Sequence, residues 1–247
     1  TRCTLDTPEQ LTVDAHGNLL VADSGNNRVL AWSARDLAAA NGACARSCHI
    51  PAVDVWGQAG DFTTSVPDAW PPYGYRGPCA ATPAPAGPCT LSRPGAMAFD
   101  RFGHLFIADT GDNRVLEFPS GTRHQSQKAF SVYGQHGSLS SSSPDPGGVN
   151  DGTLAAPAAV GLNPSGFLWI SDGNNRVLEY PPPKGAGRMA GIFVLGQRSF
   201  TTSGCNAGGV SPATLCGPMS VTFDAPGNLY VSDGTNNRVV EYLAPTR

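Results

Sequence analysis

Four aspartate–arginine pairs recur along the chain: Asp23/Arg28, Asp109/Arg114, Asp172/Arg176 and Asp233/Arg238. A carboxylate and a guanidinium at this spacing can ring a ligand with charge. They can also clamp a short turn through charge-assisted hydrogen bonds. Recurrence in every unit of a repeat favours the clamp, because a catalytic group is usually needed once. Between the partners stand turns such as Asp23-Ser24-Gly25-Asn26, Asp109-Thr110-Gly111-Asp112 and Asp172-Gly173-Asn174. An EF-hand calcium loop needs alternating carboxylates and a distal bidentate glutamate, and these turns have neither. Tight-turn geometry selects the same residue types, so two readings stand: plain reversals, or a weak calcium site built from several turns.

The remaining chemistry-bearing residues are sparse. Histidines 16, 49, 104, 124 and 136 show no i, i+4 metal spacing, and His16 and His104 fall in turns between strands. The predicted metal-ligand set is therefore empty, and no cofactor is expected. The stretch Cys44–His49, CARSCH, has one residue too many for the C-x-x-C-H signal of covalent haem, and reads as a small disulfide-closed loop. No G-x-S-x-G, Walker-type or H-E-x-x-H pattern occurs, so no catalytic residue is assigned. Trp70, Tyr73, Tyr75 and Arg76 lie in the proline-rich loop PPYGYRGPCAATPAPAGPC and its flank. They are the candidate contacts for a peptide or sugar.

These residues sit on a repeat. GNLLVADSGNNRVLAW (17–32), GHLFIADTGDNRVLEF (103–118), GFLWISDGNNRVLEY (166–180) and GNLYVSDGTNNRVVEY (227–242) align. Leu5, Leu91, Leu154 and Leu215 each precede Asp14, Asp100, Asn163 and Asp224 by nine residues, with Pro8, Pro94, Pro157 and Pro218 six before them. A second signature recurs three times, as VWGQ (55–58), VYGQ (132–135) and VLGQ (194–197). Each unit yields four short β segments: one opened by the proline, one ending at the aspartate, one opening at the arginine, and one ending at the Gly-Gln signature. The first two are nearly continuously apolar and so should be covered on both faces. The third carries Glu117, Glu179 or Glu241, which suits a place nearer solvent.

Composition agrees. Only 14% of the 247 residues are charged, against about 25% in an average domain. With 30 glycines and 22 prolines, long surface helices and coiled coils are disfavoured. The net charge of −3 provides no drive toward nucleic acid. No apolar run approaches the ~18 residues of a membrane-spanning helix, so membrane insertion is not expected. Small four-stranded sheets, repeated and apolar on both faces, stack as a β-propeller. The fold class is all-β: a single propeller domain or propeller segment over residues 1–247, with units at approximately 4–58, 90–135, 153–197 and 214–243, the last lacking its outer strand.

The core G-x-L-x-[VI]-[AS]-D-x-x-[ND]-N-R-[VI] resembles the NHL repeat, and the long form with V-x-G-Q is similar to bacterial NHL-repeat proteins. Such propellers serve as protein-binding, RNA-binding, sensor and enzymatic modules, so the resemblance specifies fold more than function. One propeller relative, the peptidyl-hydroxyglycine lyase, holds metal through histidines near its axis. No histidine here lies on an axis-lining first strand. Relatives more often close with six units, so the 247 residues are expected to be part of a longer chain.

Seven cysteines form three close pairs, Cys44/Cys48, Cys79/Cys89 and Cys205/Cys216, with Cys3 left over. They read as disulfides of an extracellular, cell-surface or periplasmic protein. If Cys79 and Cys89 pair, the homologous mate of Cys3 would precede residue 1. The functional expectation is a non-catalytic binding or scaffold module that recognises a protein, peptide or glycan through loops on one face. The alternative is a lyase-like propeller enzyme with a metal site assembled from several units.

Overall fold

The computed structural model describes residues 2–40, 50–68, 86–120, 128–182 and 189–245. Each repeat unit folds as its own antiparallel sheet. Unit 1 comprises β1 (Pro8–Val13), β2 (Leu19–Asp23), β3 (Arg28–Trp32) and β4 (Asp54–Trp56). Unit 2 comprises β5 (Pro94–Phe99), β6 (Leu105–Asp109), β7 (Arg114–Phe118) and β8 (Ser131–Tyr133). Unit 3 comprises β9 (Ala159–Leu162), β10 (Leu168–Asp172), β11 (Arg176–Tyr180) and β12 (Phe193–Leu195). Unit 4 has β13 (Pro218–Phe223), β14 (Leu229–Asp233) and β15 (Arg238–Tyr242). Among the described residues it has three strands where its siblings have four. Strand order within each sheet follows the sequence, as a meander of hairpins requires.

The sheets stack face to face through their first strands, β1 against β5, β5 against β9 and β9 against β13. Period-two alternation decides what each face contributes. Leu20, Ala22, Val29 and Ala31 of unit 1 pack on Met97, Ile107, Leu116 and Phe118 of unit 2. A second core joins units 2, 3 and 4 through Phe106, Trp169, Tyr133, Tyr180 and Val231. The outer ends of the stack stay open, with Leu11 and Val13 of β1 and Met219 and Val239 of unit 4 exposed.

Two features depart from the sequence reading. The third strands of units 2 and 3 are not near solvent: β7 and β11 are buried along their whole length, Glu117 and Glu179 included, whereas Glu241 on β15 is exposed as expected. Stacking covers both faces of a strand in an interior sheet, so its polar residues are enclosed with the apolar ones. The first inserted segment also contains a short helix, α1 (Ala34–Ala40), beginning just after Ser33. The Ser33 hydroxyl accepts from Asp36 N and donates to the Asp36 carboxylate, a local capping arrangement. Leu37 packs with Leu30, Trp32, Val55 and Phe62 over the free face of unit 1.

One expected bridge is present among the described residues, Cys205–Cys216, with Cα atoms 4.6 Å apart. Cys89 is disulfide-bonded; Cys79, its expected mate, and Cys44 and Cys48 lie outside the described residues. The Cys205–Cys216 bridge closes a loop spanning 11 positions, which in the chain-entropy account contributes about 2–3 kcal/mol. The Cys205→Ser/Cys216→Ser variant should therefore unfold earlier on heating and be cut faster by protease between these positions. Unchanged melting and digestion would show that the bridge adds nothing to the loop.

Candidate functional site

The two ends of the sheets differ in chemistry. One end carries the β2–β3, β6–β7, β10–β11 and β14–β15 turns together with the long connections to the next unit. Here the Asp/Arg pairs sit, and their oxygens are already engaged. In unit 2, Asp109 Oδ1 accepts from Ser92 N at 2.7 Å, and Oδ2 accepts from Arg114 Nε at 2.8 Å. Arg114 Nη1 reaches Leu139 O, and Nη2 reaches Gly87 O and Thr90 O. Asp23/Arg28, Asp172/Arg176 and Asp233/Arg238 repeat the arrangement, with Nε–Oδ2 distances of 2.7 Å in each. Arg28 and Arg176 also hold the following loop, through Phe62 O and Phe200 O. Burial pushes the carboxyls of Asp109 and Asp172 up while their arginines pull them back. At Asp233 the effect of burial is outweighed by bonds from Asn236, Cys216 N and Arg238, and that carboxyl lies below its ordinary range.

The signature glutamines complete this anchoring. Gln58 Nε2 donates to Asn27 O and Val66 O, Gln135 to Asn113 O and Ser143 O, and Gln197 to Asn175 O and Gly204 O. The asparagine before each of the first three arginines, in the left-handed region at φ 54–59°, links one unit to the next. Asn27 Oδ1 accepts from Arg93 N, Asn113 Oδ1 from Ala156 N, and Asn175 Oδ1 from Gly217 N. Each long loop is thus pinned at two carbonyls by buried side chains of the sheet below it. Trp70, Tyr73, Tyr75 and Arg76, the candidate contacts, lie outside the described residues, as do His49 and His124.

The opposite end carries the first-to-second strand turns. In unit 2 it brings together Asp100, His104 and Glu117, whose ligand atoms all lie within 4.8 Å of one another. Asp100 Oδ1 accepts from Phe102 N and His104 N, and Oδ2 meets His104 Nδ1 at 2.9 Å. His104 Nδ1 is 3.6 Å from Glu117 Oε1. Burial pushes Glu117 up to about 7, against the pull of the Tyr133 hydroxyl and His104. A cavity of ≈ 360 Å³ lies at the same end, lined by turn residues of units 2, 3 and 4 that include Asp100, Asn163 and Asp224. Sequence reasoning passed over this cluster, reading His104 as an exposed turn residue and Glu117 as solvent-facing. The signal that finds it is departure from the repeat. At the three register positions the other units carry Asp14/Asn18/Ala31, Asn163/Phe167/Glu179 and Asp224/Asn228/Glu241, so histidine flanked by two acids occurs once.

Four small antiparallel sheets stacked through their first strands, with loops pinned at one end, define a β-propeller of four units. Residues 5–32 match the family model of the NHL repeat, and the same register recurs in the other three units. No curated protein matches the chain. Among solved structures it is similar to the periplasmic gluconolactonase of Pseudomonas aeruginosa, at 15% identity and a TM-score of 0.53, covering 96% of this chain and 49% of that one. It also aligns with virginiamycin B lyase from Staphylococcus aureus, at 13% identity and a TM-score of 0.47, covering 96% of this chain and 55% of that one. The chain therefore spans about half the length of these structures, and at such identities the likeness is one of fold.

Proposed function

We propose that this propeller is an exported, non-catalytic binding module that engages a protein, peptide or glycan through the loop-bearing end of its sheets. The supporting observation is the anchoring of successive loops, at Phe62/Val66, Leu139/Ser143 and Phe200/Gly204, by equivalent arginine and glutamine side chains. Loops held on a rigid scaffold are where recognition residues collect, and prior ordering reduces the entropic cost of binding. A net charge of −3 disfavours nucleic acid as the partner. Disulfides support an oxidising compartment. In this reading Trp70, Tyr73, Tyr75 and Arg76 carry the contacts.

Their combined alanine substitution tests it, with a random peptide display library and a glycan array as probes. The expected result is a reproducible hit for the parent protein that the quadruple variant loses by at least tenfold, at unchanged melting temperature. Equal binding by the variant would overturn the assignment of these four residues. No hit for the parent on either probe would count against peptide and glycan recognition. A second reading, a propeller enzyme, is favoured by one observation, the Asp100–His104–Glu117 cluster. That cluster belongs to a single unit and lies at the end away from the long loops.

A further inference from the structure

We propose that Asp100, His104 and Glu117 form a binding site for one divalent transition-metal cation, of which Zn²⁺ is the type. The proposal concerns the turn-bearing end of unit 2 and stands independently of partner recognition at the other end. It rests on two separate observations: the arrangement of the three donors, and a carboxylate oxygen that the fold leaves unused.

The donors are fixed in advance. Asp100 spends Oδ1 on two backbone N–H groups of its own turn, each at 2.8 Å, which holds Oδ2 toward His104. The imidazole is braced edge-on by Phe130, with ring centroids 5.4 Å apart. Glu117 is held through Oε2, which accepts from the Tyr133 hydroxyl at 3.2 Å. Outer hydrogen bonds that orient ligands in this way are the usual support of a metal centre. Three donors around a tetrahedral Zn²⁺, each about 2.0–2.2 Å from it, stand ~3.4 Å apart. Here Nδ1 is 2.9 Å from Asp100 Oδ2 and 3.6 Å from Glu117 Oε1, a spread that small side-chain adjustments would even out.

The unused oxygen is Glu117 Oε1. The residue is 0% exposed, yet this atom makes no hydrogen bond. A buried carboxylate oxygen without a donor is costly, and the atom faces the His104 ring nitrogen. A purely structural role for His104, closing the turn onto Asp100, would explain one contact and leave this oxygen unexplained. The other units show that the turn needs no histidine. Asn18 Nδ2 donates to Asp14 Oδ2, and Asn228 Nδ2 to Asp224 Oδ2, each at 2.8 Å. Unit 1 has alanine, Ala31, where unit 2 has Glu117.

An imidazole with two carboxylates suits Zn²⁺ and its first-row neighbours better than Ca²⁺ or Mg²⁺, which prefer all-oxygen sets with more ligands. Three protein ligands leave a coordination position open. His104 is the exposed member, with 27% of its side chain accessible, so solvent reaches the site from its side.

The test uses tag-free, metal-stripped full chain titrated with Zn²⁺ by calorimetry, and with Co²⁺ by visible absorbance. His104→Asn and Asp100→Asn each install the residue that a sibling unit carries at that position, so folding should survive; Glu117→Gln keeps the shape of the side chain. The expected result is one saturable equivalent of Zn²⁺, weakened at least tenfold by His104→Asn and by Glu117→Gln. His136→Asn, at a histidine bonded to Pro146 O in a distant loop, should leave the affinity unchanged. Co²⁺ should give d–d bands without a thiolate charge-transfer band. The proposal is overturned if the parent protein shows no saturable binding, if folded His104→Asn binds as tightly as the parent, or if a thiolate band places the ion on cysteine.

Discussion

Replacing Arg114 with alanine is expected to lower the melting temperature by roughly 6–20 °C while leaving the unit boundaries unchanged. Arg114 is fully buried, and its guanidinium donates to five acceptors: Asp109 Oδ2, Leu139 O, Gly87 O, Thr90 O and Asp112 Oδ2. Truncation removes the counter-charge and leaves two buried carboxylates and three carbonyls short of donors. Breaking a buried pair from one side costs about 3–5 kcal/mol, and in a domain of this size each kilocalorie shifts melting by about 2–4 °C. Arg176→Ala should behave alike, since Arg176 is also fully buried and bonds Asp172, Phe200 O and Thr153 O. Arg238 is the internal control. Its side chain is 27% exposed, so water can replace part of what alanine removes and the loss should be distinctly smaller. Arg114→Lys should rescue little, because one ammonium cannot reproduce a planar fork aimed at several acceptors. The measurement is thermal unfolding of the four variants by circular dichroism. Equal, negligible shifts for Arg114→Ala and Arg238→Ala, with partner binding lost, would assign these arginines to recognition instead.

The reason so much of this fold is legible in the sequence is that each invariant register position has one local job. Pro8, Pro94 and Pro218 open β1, β5 and β13 at the residue itself, while β9 begins at Ala159, two residues beyond Pro157. The Asp/Arg spacing matches the hairpin register, in which Asp109 pairs with Arg114 and Asp172 with Arg176. What the pattern could not convey is the environment of a residue between stacked sheets. Glu117 and Glu179 look solvent-facing along one strand, and only the neighbouring unit encloses them. The Asp100–His104–Glu117 cluster was hidden for the same reason. It joins a turn to a strand 13 positions further on, and the two acids are ordinary at their places in the repeat. Only the histidine is out of pattern. In a repeat the shared residues serve the fold, so the residue that departs from its siblings is the better guide to function.

Gly134→Ala and Gly196→Ala are expected to be strongly destabilising, with Gly196→Ala the worse. The glycine of the Gly-Gln signature sits at φ 82° and ψ −176° in unit 2 and at φ 80° and ψ −178° in unit 1. That region is open essentially to glycine alone, and another residue held there costs about 1–3 kcal/mol. The space is also taken. A Cβ on Gly134 would stand 3.1 Å from three side-chain carbons of Leu154, and one on Gly196, at φ 84°, would stand 2.7–2.8 Å from those of Leu215. Leu154 and Leu215 are fully buried and are the register leucines of the following units. The signature glycine is thus the socket that receives the next sheet, which explains why the two motifs recur together. Overpacking a filled core adds about 1–3 kcal/mol, so the combined loss should reach about 2–6 kcal/mol. Gly166 separates the two causes: it has φ 86° with no atom within 4 Å of a Cβ, so Gly166→Ala feels backbone strain without the clash. The expected order of melting temperatures is Gly166→Ala highest, then Gly134→Ala, then Gly196→Ala. If contact with Leu215 is the cause, Leu215→Ala and Gly196→Ala should be less than additive in the double variant, since the smaller side chain vacates the socket. Strict additivity, or a Gly166→Ala protein as unstable as Gly196→Ala, would show that backbone conformation alone selects glycine here.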